Sequence, residues 1–275
     1  KVSNFIKKNY KKNVDVMCMP VGAAGEYPQC FLNLNRKNEK NKIIKKGLNE
    51  LKKQINVIKP NVYFPAGGTY YIFGKFSNLN SFIARPDFFE IRKKFKNDNI
   101  ELINLEGGNT LFKNDYQWKL ILNKKKFEDK NSVILKYLKA KYFYNKKKIT
   151  KFNTKYLAKI FDKSKNNYFR ILGNFKIKTN WKVEFMIYKN LRLNKMGKID
   201  YKKSNFLRKF NLLKKDKKSK VYSKLVCHLD YQLFYGLLKR KYVWNQPLAG
   251  SLILFDRKPN IFDPNVIFSL NFLGK

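Results

Sequence analysis

Two glycine-bearing segments, each placed directly after a short apolar run, constrain this chain more than any other feature. The first, Pro20-Val21-Gly22-Ala23-Ala24-Gly25-Glu26-Tyr27-Pro28-Gln29-Cys30-Phe31, follows the apolar run at 14–19. The second, Pro65-Ala66-Gly67-Gly68-Thr69-Tyr70-Tyr71, follows Val62-Tyr63-Phe64. Between them Ile44, Leu48, Leu51 and Ile55 recur at helical spacing, giving one apolar stripe backed by charge over residues 37–55. Pro60 ends that pattern. The expectation is strand, loop, helix, strand, loop, and in a parallel pairing both loops lie at one edge of the sheet. Loops of this kind are aimed by a rigid scaffold, and Gly22, Gly25, Gly67 and Gly68 let their backbone turn sharply or come close to a ligand.

Beyond Lys75 the pattern is less regular. A helical turn is expected over 90–95, and residues 100–105 and 110–112 read as a hairpin or bent strand pair around Gly107-Gly108. Phe152, Tyr156, Leu157, Ile160 and Phe161 suggest a helix. Strict alternation over 180–188 predicts a strand, with Trp181, Val183, Phe185 and Ile187 on one face. Strands at 207–210 and 221–227 flank the lysine run 214–220, read as a hairpin tip. Asp230 is placed to cap a short helix carrying Leu233, Phe234, Leu237 and Leu238, and strands are expected at 251–257 and 266–272. The fold class is therefore α/β passing to α+β, divided into residues 1–115 and 116–275, with a soft boundary between 113 and 150.

Composition bounds the rest. A chain of 275 residues with 44% hydrophobic and 16% aromatic residues can bury a substantial core. No apolar run reaches the roughly 18 residues of a membrane span, and no signal-peptide pattern opens the chain. The chain begins at Lys1 and enters a buried strand almost at once, so it reads as the remainder of a longer protein. Three widely spaced cysteines, Cys18, Cys30 and Cys227, point to free thiols in a reducing, cytoplasmic compartment, with Cys18 expected as a small buried hydrophobe.

The net charge of +42 admits three readings. Lysines are spread in short clusters along a chain also rich in Asn, Ile, Phe and Tyr, which fits compositional drift with solvated side chains. An anionic ligand such as a sugar nucleotide is the second reading. Nucleic acid is the least favoured, because no nucleic-acid motif is present and Lys far outnumbers the Arg that suits base and phosphate readout.

His228 is the only histidine, so neither a zinc site nor a Ser-His-Asp arrangement can be assembled without it, and a structural role is expected. No GxGxxG follows a strand and no P-loop occurs. Asp87, Glu90, Glu101 and Glu106 lie close in sequence, but spacing pairs none of them. By residue type, the chain contains no complete catalytic set.

In order and content, the two loops and the basic helix between them resemble the second half of a metallo-β-lactamase-fold domain, in the branch of the CMP-N-acetylneuraminate hydroxylase family. The carrying segments are Gly22 to Phe31, with its aromatic-Pro pair, and the Pro-Ala-Gly-Gly of 65–68. Gly107-Gly108-Asn109-Thr110 is similar to that family's Pro-Gly-x-Thr-Leu element. Trp244 with Arg257-Lys258-Pro259-Asn260 is similar to its closing segment, Asn standing where the family has Asp. The wider fold's His-x-His-x-Asp-His loop is absent, and Ala66 stands where more distant hydrolases carry a last metal histidine. The hydroxylase's Rieske domain is absent too.

The resemblance implies one sheet of an αββα sandwich with a C-terminal α+β extension, belonging to a metal-dependent enzyme that acts on an anionic sugar-nucleotide or carbohydrate substrate. It implies no cofactor in this chain and a zinc or iron site in an N-terminal half that these residues do not include. Lys75, Asn78, Asn80 and Arg85 follow the second loop and are candidates to meet phosphate or carboxylate groups. Tyr27 and Gln29 are candidates to meet a base or sugar from the first; simple solvation of the loops is the alternative for all six. A ligand- or partner-binding protein that has lost catalysis, and a basic nucleic-acid-binding protein, are the competing readings.

Overall fold

A computed structural model describes residues 2–9, 14–22, 25–66, 70–105, 108–115, 117–122, 130–145, 152–176, 181–212 and 223–274. The chain divides into two compact units, one built from residues 1–24, 37–71 and 83–133, the other from 25–36, 72–82 and 134–275. The boundary expected at 115/116 falls inside the first unit, and residues 25–36 and 72–82 cluster with the C-terminal part of the chain. Among the described residues the architecture is mixed α+β, with three separate sheets and no barrel.

In the first unit, α1 (Val2–Asn9) precedes β1 (Val16–Met19), α2 (Arg36–Ile58) and β2 (Val62–Pro65). β1 and β2 pair in parallel, Val16 opposite Val62 through Met19 opposite Pro65, as the strand–helix–strand pattern predicts. The α2 stripe turns inward: Leu51 and Ile55 join Met17, Val21, Tyr63, Ile91 and Phe95 in one buried cluster. The lysines of α2 face outward because an ammonium has nothing to pair with in that cluster. After α3 (Phe88–Lys94), closed by a capping box between Asp87 and Glu90, β3 (Glu101–Leu102) runs parallel to β2.

Two expectations change here. The hairpin expected between 100–105 and 110–112 does not form. β3 joins β2, while β4 (Thr110–Asn114) pairs antiparallel with β5 (Gln117–Ile121). The turn follows Asn114-Asp115, with Asp115 at φ 48°, a left-handed position that Asp tolerates. Cys18 is exposed rather than buried. β1 is an edge strand with period-two burial, so Met17 faces the core and Cys18 faces away.

α4 (Lys130–Lys136) links to the remainder of the chain. The second unit contains a 3-10 helix over Gly74–Phe82, α5 (Thr154–Asn174), β6 (Trp181–Tyr188), β7 (Phe206–Leu212), β8 (Ser223–Asp230), α6 (Tyr231–Leu238), α7 (Asn245–Ala249), β9 (Leu254–Lys258) and α8 (Pro264–Leu270). Its sheet runs β7-β6-β8-β9, with β6 antiparallel to β7 and parallel to β8, and β8 antiparallel to β9. β6 lies between β7 and β8, so these two do not form the expected hairpin; the lysine run 214–220 lies outside the described residues. The end of the first glycine segment lies along the outer edge of β9. Phe255 N donates to Cys30 O and Leu32 N to Phe255 O, both at 2.8 Å.

The closing segment read as a strand at 266–272 is helical. Asp263 caps it by accepting from Asn265 N, Pro264 pre-sets its first turn, and Val266, Ser269 and Leu270 are buried at helical spacing. One face of the four-stranded sheet, carrying Val183, Phe185, Ile187, Phe210, Cys227 and Phe255, is buried. The rings of Phe161 from α5 and Phe234 from α6 pack on Phe185 and Phe210.

Candidate functional site

The residues singled out in sequence fall in different places. In the first unit, Gly22 sits at φ 90°, where a Cβ would come within 2.8 Å of Ala84 O and 2.9 Å of Pro86 Cδ. Its loop is thereby pressed onto residues 84–86. Arg85 donates from Nη2 to Ala66 O at 2.8 Å, tying the exit of β2 to the same segment. Gly67 and Gly68 lie outside the described residues. In the second unit, Gly25 has φ 110° and open space around it. Gln29 is buried and donates to Gly25 O and to Ser251 Oγ. The Tyr27 hydroxyl accepts from Asn260 Nδ2 at 3.1 Å. Asn78 donates to Asn194 O at 3.0 Å, and buried Asn80 spans Ile72 N and O at 2.9 and 2.7 Å. These side chains hold their own loops.

Lys75 meets Asp230 at the C-terminal end of β8. The carboxylate also accepts from Tyr144 Oη at 2.9 Å and from Leu191 N at 2.8 Å, so Asp230 stands at the start of α6 without making a side-chain cap bond. Burial pulls the Lys75 ammonium down and Asp230 pulls it back up, with a net lowering. Burial, reinforced by Asp230, pushes the Tyr144 hydroxyl well up. Two residues earlier on β8, His228 is bound at both nitrogens, Nδ1 to Tyr188 Oη at 3.1 Å and Nε2 to Asp256 Oδ2 at 2.9 Å. Burial, then Tyr201 and Asp256, raise the Tyr188 phenol. Both clusters are buried and internally satisfied, the condition under which polar groups serve to position their surroundings.

The second face of the sheet differs in kind. Register puts Lys182, Glu184, Met186 and Tyr188 of β6 beside Lys224, Val226 and His228 of β8, with Lys209 and Asn211 of β7 on the other side. Glu184 is 2% exposed, yet Lys182, Lys209 and Lys224 reach it at 2.8, 2.9 and 2.9 Å. Burial raises this carboxyl, but the hydrogen bonds of the three lysines outweigh it and lower it to about 2. The lysine side chains are themselves 33–46% exposed. Each ammonium has three donors, and the shared carboxylate cannot use them all. Three cations are thus gathered around one anion, with hydrogens left over toward solvent. Four residues further along β6, Phe206 of β7 pairs with Tyr188 and packs on its ring at 5.7 Å while remaining 50% exposed.

Sequence reasoning did not single out Lys182, Glu184, Lys209 or Lys224. The available signal was their polar phase in the alternation over 180–188, which marks the face of β6 opposite the aromatic core. No group of three or more His, Cys, Asp or Glu stands close enough to hold a metal among the described residues. Ala66 offers only backbone, its N–H donating to Met19 O at 3.1 Å. The zinc or iron that the resemblance implies is expected in residues this chain does not include. No helix among them is long and apolar enough to cross a membrane. Comparison with family models, with curated proteins and with solved structures finds no match.

Proposed function

We propose that this chain binds a nucleotide-like phosphorylated ligand on the polar face of its four-stranded sheet. The observation that carries the reading is the triple lysine array held by Glu184. A buried carboxylate pre-positions three ammonium groups, so an incoming phosphate meets an organised cationic surface rather than three freely moving side chains. The exposed Phe206 ring supplies the second element. At the rise of an extended strand, four residues separate it from the Glu184 level by roughly 13 Å, a span suited to a base stacked at one end and phosphates bound at the other. Half-buried Met186 lies between, and half-buried Val226 stands beside Glu184.

A sugar nucleotide is the ligand class implied by the likeness of the two glycine segments to the hydroxylase branch of the metallo-β-lactamase fold, and it carries both groups. Under that reading the first unit is the second half of an αββα sandwich, and any zinc or iron belongs to residues outside this chain. Binding is the activity the described residues support.

Calorimetric titration with cytidine diphosphate, cytidine and inorganic phosphate tests the proposal. At about 0.15 M salt, where long-range attraction is screened, the diphosphate should bind at least about tenfold more tightly than either fragment. Replacing Lys182, Lys209 and Lys224 together by Ala should remove that advantage. Phe206→Ala should weaken binding by about five- to a hundredfold, the range expected from loss of one base–aromatic stack. Inorganic phosphate binding as tightly as the diphosphate, or an unchanged affinity in the lysine variant, would overturn the reading. Much tighter binding of a single-stranded oligonucleotide under the same salt would replace it with nucleic-acid binding.

A further inference from the structure

The lysine face continues one strand beyond the residues that Glu184 gathers. Parallel register sets Lys182 of β6 beside Lys224 of β8, and antiparallel register sets Lys224 opposite Lys258 of β9. Three lysines therefore stand in one row across adjacent strands, with backbones roughly 4.8 Å apart from one strand to the next. The alternation along β9 confirms the face. Arg257 is buried against the rings of Phe31 and Tyr27, whereas Lys258, the next residue, points the other way and is exposed.

Like charges directly opposite each other in a sheet are destabilising. For Lys182 and Lys224 that repulsion is met by Glu184, to which both donate. Lys258 makes no ion pair among the described residues. Asp256, two residues earlier on the same face of β9, has its Oδ2 held by His228 Nε2 at 2.9 Å. The row thus ends on a cation for which the protein supplies no counter-charge, beside a carboxylate that already serves three lysines.

On the reading that Lys182, Lys209 and Lys224 bind phosphate, we infer that the ligand of this face is a nucleoside triphosphate whose terminal phosphate lies between Lys224 and Lys258. The phosphate chain crosses the strands along the row, from the Glu184 level of β6 toward β9, while the base stays on Phe206 of β7. The terminal phosphate accepts from Lys258 and from the ammonium hydrogens of Lys224 that Glu184 leaves unused. A diphosphate, or a nucleotide ending in a neutral sugar, has no third phosphate to bring to Lys258.

Calorimetric titration with cytidine triphosphate and cytidine diphosphate tests this, at about 0.15 M salt and without divalent cations, which would neutralise the phosphates. The triphosphate should bind about three- to tenfold more tightly, the gain expected of partly exposed charge pairs that converge on one group. Lys258→Met keeps the reach of the side chain and removes its charge. Triphosphate affinity should then fall to that of the diphosphate, while diphosphate affinity changes by less than about twofold. Lys42→Met, on the exposed face of α2, removes the same charge elsewhere and should leave both affinities unchanged. Both side chains are exposed, so near-UV circular dichroism should stay native in each variant. A triphosphate preference that is absent from the wild type, survives Lys258→Met, or is lost equally in Lys42→Met would overturn the inference and leave the diphosphate site standing. A diphosphate that fails to outbind cytidine and inorganic phosphate would instead remove the phosphate site, and the triphosphate with it.

Discussion

The charge state of Glu184 links burial, electrostatics and binding in a single residue. Its carboxyl titrates near 2, below its ordinary value, because three lysines hydrogen-bond the ionised form more strongly than burial opposes it. The folded-state pKa is depressed, so the stabilisation is present above the unfolded-state value of about 4.3 and is lost as pH falls toward 2. Glu184→Gln keeps the shape but leaves three ammonium groups without their anion. The lysines are partly exposed and can turn to solvent, so the loss is about 1–2 kcal/mol at pH 7, below that of a fully buried pair. Urea unfolding of wild type and variant at pH 7, 4 and 2.5 should show this gap closing with acid; a gap independent of pH would assign the effect to packing. The alternation over 180–188 marks Lys182 and Glu184 as one face, but Lys209 and Lys224 arrive through pairings of β7 and β8 that local periodicity does not specify. Lys75 was legible as a polar loop residue, whereas its partner Asp230 read as a helix cap. The structure retains the cap position and spends the carboxylate on Lys75, Tyr144 and Leu191.

Elements with a strong period were legible and elements defined by their partners were not. The α2 stripe, the β1–β2 parallel pair, β6 and α5 follow directly from the spacing of apolar residues, because each buries one face whatever its neighbours are. The pairings expected of 100–105 with 110–112 and of 207–210 with 221–227 do not form, since strand choice is settled by burial across the sheet: β3 gains a place beside β2 and the apolar β6 occupies the centre between β7 and β8. At the C-terminus, an apolar run short enough for either state became helical through Asp263 and Pro264. The first glycine segment was correctly marked as irregular backbone, and at Gly22 its physical reason is a positive φ and the closeness of Ala84 O. Gly22→Ala should therefore destabilise the protein by about 1–3 kcal/mol through left-handed strain and displacement of residues 84–86. Gly25→Ala is the internal comparison, because a Cβ there meets open space and only the strain at φ 110° remains. Denaturant midpoints should fall further for Gly22→Ala; the reverse order would contradict the close approach.

For the molecule as a whole, a charge of +42 gives long-range attraction to any polyanion, and that attraction alone names no ligand. On α2, Lys42 and Lys53 stand on an outward face, each in an i,i+3 pair with Glu39 or Glu50 that the surrounding water weakens. The sheet of the second unit departs from this by fixing three lysines on one buried carboxylate with an exposed aromatic ring on the same face. A general, salt-sensitive affinity is therefore distinct from local binding at Lys182, Lys209 and Lys224. Lysine-acetylation footprinting with saturating cytidine diphosphate at about 0.15 M salt tests that separation most directly, because long-range effects are screened there. Acetylation of Lys182, Lys209 and Lys224 should fall together while that of Lys42 and Lys53 is unchanged; a uniform decrease across all five, or none at the three sheet lysines, would contradict local binding.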